Sequence, residues 1–361
     1  MPRIIFIANN IADPHIHKRV QEFIDQGYEV EMYGCLRTGI NLNHQYPYKI
    51  HIFATFGQQR YIKRLGILLK AIRKILADTR EDDIYFCFGL DNALAVYLQT
   101  HRRFIYEEAD LQHTYIKLKP IAKFLDWMDK RVIKRSLLTI FTSDGYLQYH
   151  FQGKRPANAA MIYNKLDASI LDMPMLPKRP LDASHLKIAF VGELRGKAVY
   201  NFAKVIGENF PQHEAHFYGY VNKAEELMYE QLKRFPNIIF HGRFRSPVDL
   251  PRIYSEIDIV YSTYDAVYDN IRYAEPNKLY EAIYFDTPII VSSHTFLAEK
   301  VRSLGIGFDV DAMDDEAVCQ LIKSLTADRI QEKVRHATAI DKKSTINENS
   351  EFFTKLKRLL V

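Results

Sequence analysis

AEPNKLYEAIYFDTPIIV, residues 274–291, reads as a short helix followed at once by a buried strand. Pro276 lacks a backbone N–H and has φ fixed near the helical value, which suits the first turn. Leu279, Ala282 and Ile283 form an apolar stripe at helical spacing, while Lys278 and Glu281, three apart, share the other face. Asp286-Thr287-Pro288 stops the helix, and Ile289-Ile290-Val291 supplies the strand. Such a helix can hold a nucleoside diphosphate. Its dipole and Lys278 face the phosphates, and Glu281 accepts from ribose hydroxyls. Taken alone, a Lys–Glu pair at this spacing is more often a solvated surface pair.

Working outward, strands and helices alternate on both sides of this stretch. In the C-terminal half, 187–191 (KIAFV) is a strand, GELRG (192–196) a glycine-bounded turn, and a helix follows from Ala198. Strands are expected at 214–220, 238–241, 257–262 and 307–310, with helices at 223–234, 248–254, 314–327 and 330–337. In the N-terminal half, RIIFIA (3–8) is a strand; Asp13 caps a helix whose first residue is Pro14, and Gly27 ends it. Strands follow at 28–33, 48–54, 83–88, 104–108, 138–142 and 160–163. Helices follow at 59–76, 92–99, 118–135 and from Asp144. Repeated β-α-β order predicts parallel sheets with sites at the carboxyl ends of the strands. DMPMLPKRPLDASHL, residues 172–186, has three prolines and no periodicity and reads as a linker. The chain divides into a first domain at 1–170, completed by a C-terminal helix at 345–361, a linker at 171–186 and a second domain at 187–344.

Length alone favours two domains, since 361 residues exceed a usual single core. Three widely spaced cysteines form no metal-ligand pattern and suit a reducing compartment. No apolar run reaches transmembrane length and no signal peptide is legible, so a cytoplasmic location is expected. Residues 1–170 carry 24 Lys and Arg against 17 Asp and Glu, which points to an anionic partner for that half. Two basic amphipathic segments, 60–74 and 117–135, could lie on the inner face of an anionic membrane, or pack on the sheet with solvated cations. No basic-aromatic interleaving argues for nucleic acid.

Five segments in order resemble the family-4-like, retaining glycosyltransferases of the GT-B fold. They are ADPHIHKRVQEFIDQGYEV (12–30), KIAFVGELRG (187–196), NIIFHGRF (237–244), DLPRIYSEIDIVYSTY (249–264) and PNKLYEAIYFDTPII (276–290). The resemblance implies an α/β protein with two Rossmann-like domains, their parallel sheets facing a central cleft. It also implies transfer of a sugar from a nucleotide-sugar donor to a glycan, lipid-linked or other hydroxyl acceptor, with retention, without a metal and without a cofactor. The donor site falls on Gly192, Arg195, Arg243, Phe244, Glu275, Pro276, Asn277, Lys278, Leu279 and Glu281. Catalytic candidates are Asp110, Arg195 and Lys278; acceptor-side candidates are Asp13, Asp91 and Glu108, with Glu107 beside them. The chain departs from the family pattern in four places, one being Phe88-Gly89 at a strand end where His or Asp is usual. The first glutamate of the usual pair falls on Tyr273, with Glu275 two positions late; Glu193 follows the glycine; and Ala109 stands where a histidine is common.

The leaving phosphate needs fixed cations and N–H donors, which Arg195, Lys278 and the helix start at Pro276 can supply. Retention requires no protein nucleophile. A nucleotide-sugar sensor or scaffold, and a GT-B epimerase, are the alternative readings. A dinucleotide oxidoreductase is disfavoured, because neither GELRG nor Asn9-Asn10 carries the needed glycines.

Overall fold

The computed structural model describes residues 2–37, 46–56 and 61–360, with the backbone alone at 37, 56 and 61–65. It forms two compact units, residues 1–162 together with 349–361, and residues 163–348.

In the first unit the strands are β1 (Ile4–Ala8), β2 (Val30–Arg37), β3 (Lys49–Phe56), β4 (Ile84–Phe88), β5 (Phe104–Glu108), β6 (Leu138–Phe141) and β7 (Ala159–Met161). They pair in the order β3-β2-β1-β4-β5-β6-β7, every pair parallel. β1, β4 and β5 are buried along their whole length, as strands covered by helices on both faces must be. Asp13 caps helix Pro14–Asp25 by accepting from the His15 N–H at 3.0 Å. The closing helix Ser350–Leu360 returns here and packs Phe352 and Phe353 edge-on against Phe23.

The second unit holds β8 (Lys187–Val191), β9 (Glu214–Tyr218), β10 (Ile238–Gly242), β11 (Ile259–Ser262), β12 (Ile289–Ser292) and β13 (Gly307–Val310), in the order β10-β9-β8-β11-β12-β13, again all parallel. Strand order reverses beside β8 and β11, the switch point where α/β sheets place ligands.

Three differences from the sequence expectation have physical causes. Residues 163–170 belong to the second unit rather than the first, because Leu166 bridges to Ile346 and, with Ile170, enters that unit's core. The segment read as a linker is likewise tied to the second unit: Arg179 pairs with Asp258 and Lys178 donates to the Tyr254 carbonyl at 2.6 Å. The helix expected at 223–234 is broken into a 3₁₀ turn Lys223–Glu225, a helix Glu226–Glu230 and a 3₁₀ turn Gln231–Arg234, anchored by Tyr229 and Leu232. A further helix, Phe296–Leu304, runs from a Thr295 cap to Gly305 in the left-handed region.

Candidate functional site

Helix Asn277–Tyr284 follows β11 in the second unit and leads into β12. Pro276 is its N-cap with extended backbone, one position before the first turn where the sequence placed it, and gives no side-chain cap to the first N–H groups. Leu279, Ala282 and Ile283 are buried as expected. So are Lys278 and Glu281, at 4% and 3% exposure, which rules out the solvated surface pair.

Lys278 Nζ donates to the Tyr264 hydroxyl at 3.0 Å and sits over the Phe190 ring, 4.4 Å from its centroid. It makes no ion pair among the described residues. Its other neighbour is Gly192, at the carboxyl end of β8, where a Cβ would meet Nζ at 2.9 Å. With φ of +139° and this close approach, position 192 admits only glycine without rearrangement. Residues 86 positions apart thus come together around one ammonium group. Burial pushes the Tyr264 hydroxyl up, but Lys278 beside it, with Arg195 adding to the field, brings it below the ordinary tyrosine value. Arg195 is exposed, with Glu193 at 3.9 Å. This end of the sheet therefore gathers two cations, Arg195 with Glu193 beside it and Lys278 with no ion-pair contact among the described residues.

Glu281 is held inside the unit, accepting from Tyr254 Oη at 2.7 Å and Asn277 Nδ2 at 2.8 Å. Burial raises its pKa, against Lys278 and these two donors. Glu275 is also fully buried, but its carboxylate accepts from Lys300 at 2.6 Å and from Tyr280 at 3.0 Å. The helix after β8, Lys197–Asn209, directs its first N–H groups at the Asp265 carboxylate, with Ala198 N at 2.7 Å and Lys197 N at 3.1 Å. The helix starting at Asn277, not this one, has N–H groups left uncapped for an anion. Arg243 is exposed and stacks its guanidinium 4.8 Å above the Tyr220 ring, while Phe244 packs into the core below. Tyr220 was not singled out from sequence, where it reads as the end of a strand.

In the first unit, Asp13 serves as the helix cap already described. Asp91 accepts from Asn9 Nδ2 with both oxygens at 2.7 Å, joining the ends of β1 and β4. Asp110 is exposed just beyond β5. The two glutamates that end β5 point to opposite faces. Glu107 receives the Arg19 guanidinium, Nε at 2.9 Å, and His15 Nε2 at 3.0 Å. Burial works against its charge, yet Arg19 and His15 hold its pKa down at about 2. His15, whose ring is half exposed, was missed because it sits inside the capping segment. Glu108 is fully buried and faces His150.

Of the two basic segments, 60–74 lies partly outside the described residues, as do the side chains of Lys63 and Arg64. Its described part buries Leu68, Ile72 and Ile75 and exposes Lys70, Arg73 and Lys74, as a sheet-covering helix does. Helix Lys119–Arg135 is different. It exposes Ile121, Phe124 and Trp127 next to Leu118, among Lys and Arg side chains, with Arg131 over the Trp127 ring at 4.1 Å.

No protein-family model matches the chain. Solved structures do. Sucrose-phosphate synthase from Thermosynechococcus elongatus superposes with a TM-score of 0.70 at 14% identity, over 99% of both chains. Anabaena Alr3699/HepE in complex with UDP-glucose gives 0.68 at 16% identity, over 99% of this chain and 98% of that one. The lipopolysaccharide outer core galactosyltransferase WaaB gives 0.65 at 15% identity, over 99% of each. The fold is GT-B, with parallel sheets of seven and six strands. In sequence, the succinoglycan biosynthesis protein ExoL of Rhizobium meliloti (strain 1021) is 22% identical over 353 residues, covering 90% of this chain and 85% of that protein.

Proposed function

We propose that the protein is a glycosyltransferase that moves a sugar from a nucleoside diphosphate sugar to a hydroxyl acceptor in polysaccharide or glycoconjugate biosynthesis. The observation that carries this reading is Lys278, a buried cation with no ion-pair contact among the described residues, beside Gly192 at the switch point of the second sheet. A buried charge without a counter-ion is costly, and a diphosphate would supply the missing anion. Support comes from HepE, a GT-B structure solved with UDP and with UDP-glucose, and from ExoL, whose name places it in polysaccharide synthesis.

In this reading Lys278, Arg195 and the uncapped N–H groups of helix Asn277–Tyr284 bind the diphosphate and stabilise the charge that grows on the departing phosphate. Glu281, preset by Tyr254 and Asn277, accepts from the ribose. Arg243 and Tyr220 form a platform for the base. In the first unit His15, half exposed and oriented by Glu107, is one candidate base, and Asp110 is the second. We assign retention to the reaction from the resemblance of the donor segment. The apolar, basic surface of helix Lys119–Arg135 suits a lipid-linked acceptor at an anionic membrane. A screen of UDP-, GDP- and ADP-sugars by thermal shift, followed by assay of nucleotide release, tests the proposal. Stabilisation by one donor together with turnover supports transfer; stabilisation with the donor left intact would instead describe a sensor.

A further inference from the structure

The face of β5 opposite Glu107 holds a second group of chemistry-bearing side chains that sugar transfer does not use. Glu108 ends β5, Asp129 comes from helix Lys119–Arg135, and His150 from helix Asp144–Phe151. All three side chains are essentially inaccessible to solvent. One potential ligand atom from each lies within 4.8 Å of the others. His150 Nε2 is 2.9 Å from Glu108 Oε1 and 4.0 Å from Asp129 Oδ2.

Hydrogen bonding within the group is incomplete. Neither Asp129 oxygen has a partner in good hydrogen-bond geometry, although Glu108, His113 and the Tyr106 hydroxyl stand close to it, and Glu108 Oε2 and His150 Nδ1 are likewise unsatisfied. His113 approaches Asp129 Oδ2 with Nδ1 at 3.4 Å and gives Nε2 to Tyr149 Oη at 3.0 Å. Asp126, partly exposed, stands 3.6 Å from His113 and 4.0 Å from His150. No Lys or Arg pairs with Glu108 or Asp129 among the described residues. Two carboxylates that face each other in a dry interior cannot both stay ionised without a cation between them. A carboxylate oxygen from each acid and the imidazole lie within 4.8 Å of one another, and a single divalent ion would balance both charges.

We propose that Glu108, Asp129 and His150 bind a divalent transition-metal ion, zinc in the first instance, which clamps β5 to the two helices beside it. The donor set is nitrogen and oxygen without sulfur, which suits zinc, manganese or iron(II); the imidazole disfavours magnesium and calcium. A tetrahedral shell with bonds of about 2.0 Å places its ligand atoms roughly 3.3 Å apart, a value that the His150 spacings of 2.9 and 4.0 Å bracket. His113 Nδ1 or a water is the fourth ligand, and Tyr149 fixes the His113 ring from behind. The ion lies in the first unit and is no part of the donor site, so the proposal stands or falls apart from the sugar-transfer reading.

The test uses the full chain. Protein purified without chelator and analysed for elemental content should carry close to one zinc, manganese or iron per chain. After stripping with a strong chelator, zinc chloride should restore one equivalent and raise the melting temperature by about 5 °C or more, whereas magnesium chloride should not. Cobalt(II) should give the visible absorption of a low-symmetry site. Asp129→Asn and His150→Gln, each checked for an unchanged far-ultraviolet spectrum, should lose both the retained ion and the zinc response. The proposal is overturned if stripped wild type neither binds zinc by calorimetry nor gains stability. It is equally overturned if both variants keep the wild-type stoichiometry, since the zinc would then bind elsewhere. The wild-type titration decides the matter even where a variant fails to fold.

Discussion

At the carboxyl end of β8 the second unit buries a cation, Lys278, against a tyrosine hydroxyl and an aromatic face. At the carboxyl end of β5 the first unit buries two carboxylates, Glu108 and Asp129, with one imidazole at hydrogen-bonding distance. Between them stands a control, Glu107, equally buried but matched by Arg19 and His15. The difference teaches how to read buried charge here. A matched group belongs to the fold, whereas an unmatched one calls for a ligand of opposite sign: a diphosphate on one unit, a metal ion on the other.

The comparison breaks most visibly at the matched pair. Arg19→Met strands Glu107 in the interior and should cost about 3–5 kcal/mol, read by denaturant unfolding. Because the folded Glu107 titrates near 2 against about 4.5 when unfolded, its contribution is full above pH 4.5 and fades as pH falls toward 2. The variant should lose that part of the acid transition. Removing the unmatched cation should act the other way round. Lys278→Ala should lower kcat/KM for transfer by about 10²–10³, while Lys278→Met keeps the apo stability within about 1 kcal/mol, since Lys278 makes no ion-pair contact among the described residues and Glu281 keeps its Tyr254 and Asn277 donors. Tyr254→Phe removes one donor from Glu281 and should cost about 1–3 kcal/mol, with a weaker response to donor. Arg195→Ala, at an exposed position, should change donor affinity by about five-fold or less.

Fold and order of elements were legible because the strands are short, apolar and punctuated: Pro14 after Asp13, Gly27, Pro288 and the glycines at 192 and 196 each mark a boundary. Lys278 and Glu281 were found as a pair, but their burial was not, because i, i+3 spacing gives the relative direction of two side chains and not which way the helix faces. The joining of Lys278 to Gly192 depends on the sheet's crossing order, which no local pattern records. For the same reason Glu275 looked like a donor ligand until Lys300, 25 residues later, was seen beside it. Glu107 and Glu108 look alike in sequence, and the pleat sends them to opposite faces with opposite fates. The unit boundary at 163 rests on long-range contacts, among them the bridge between Leu166 and Ile346, whose partners are far apart along the chain.

Titration calorimetry of the wild type and Lys278→Ala with UDP-glucose and UDP tests the central claim most directly. The account predicts that wild type binds one nucleotide per chain and that the variant loses at least about 100-fold in affinity while its melting temperature without ligand is nearly unchanged. Equal binding by the two proteins would contradict it, and would place the diphosphate somewhere other than on this buried ammonium.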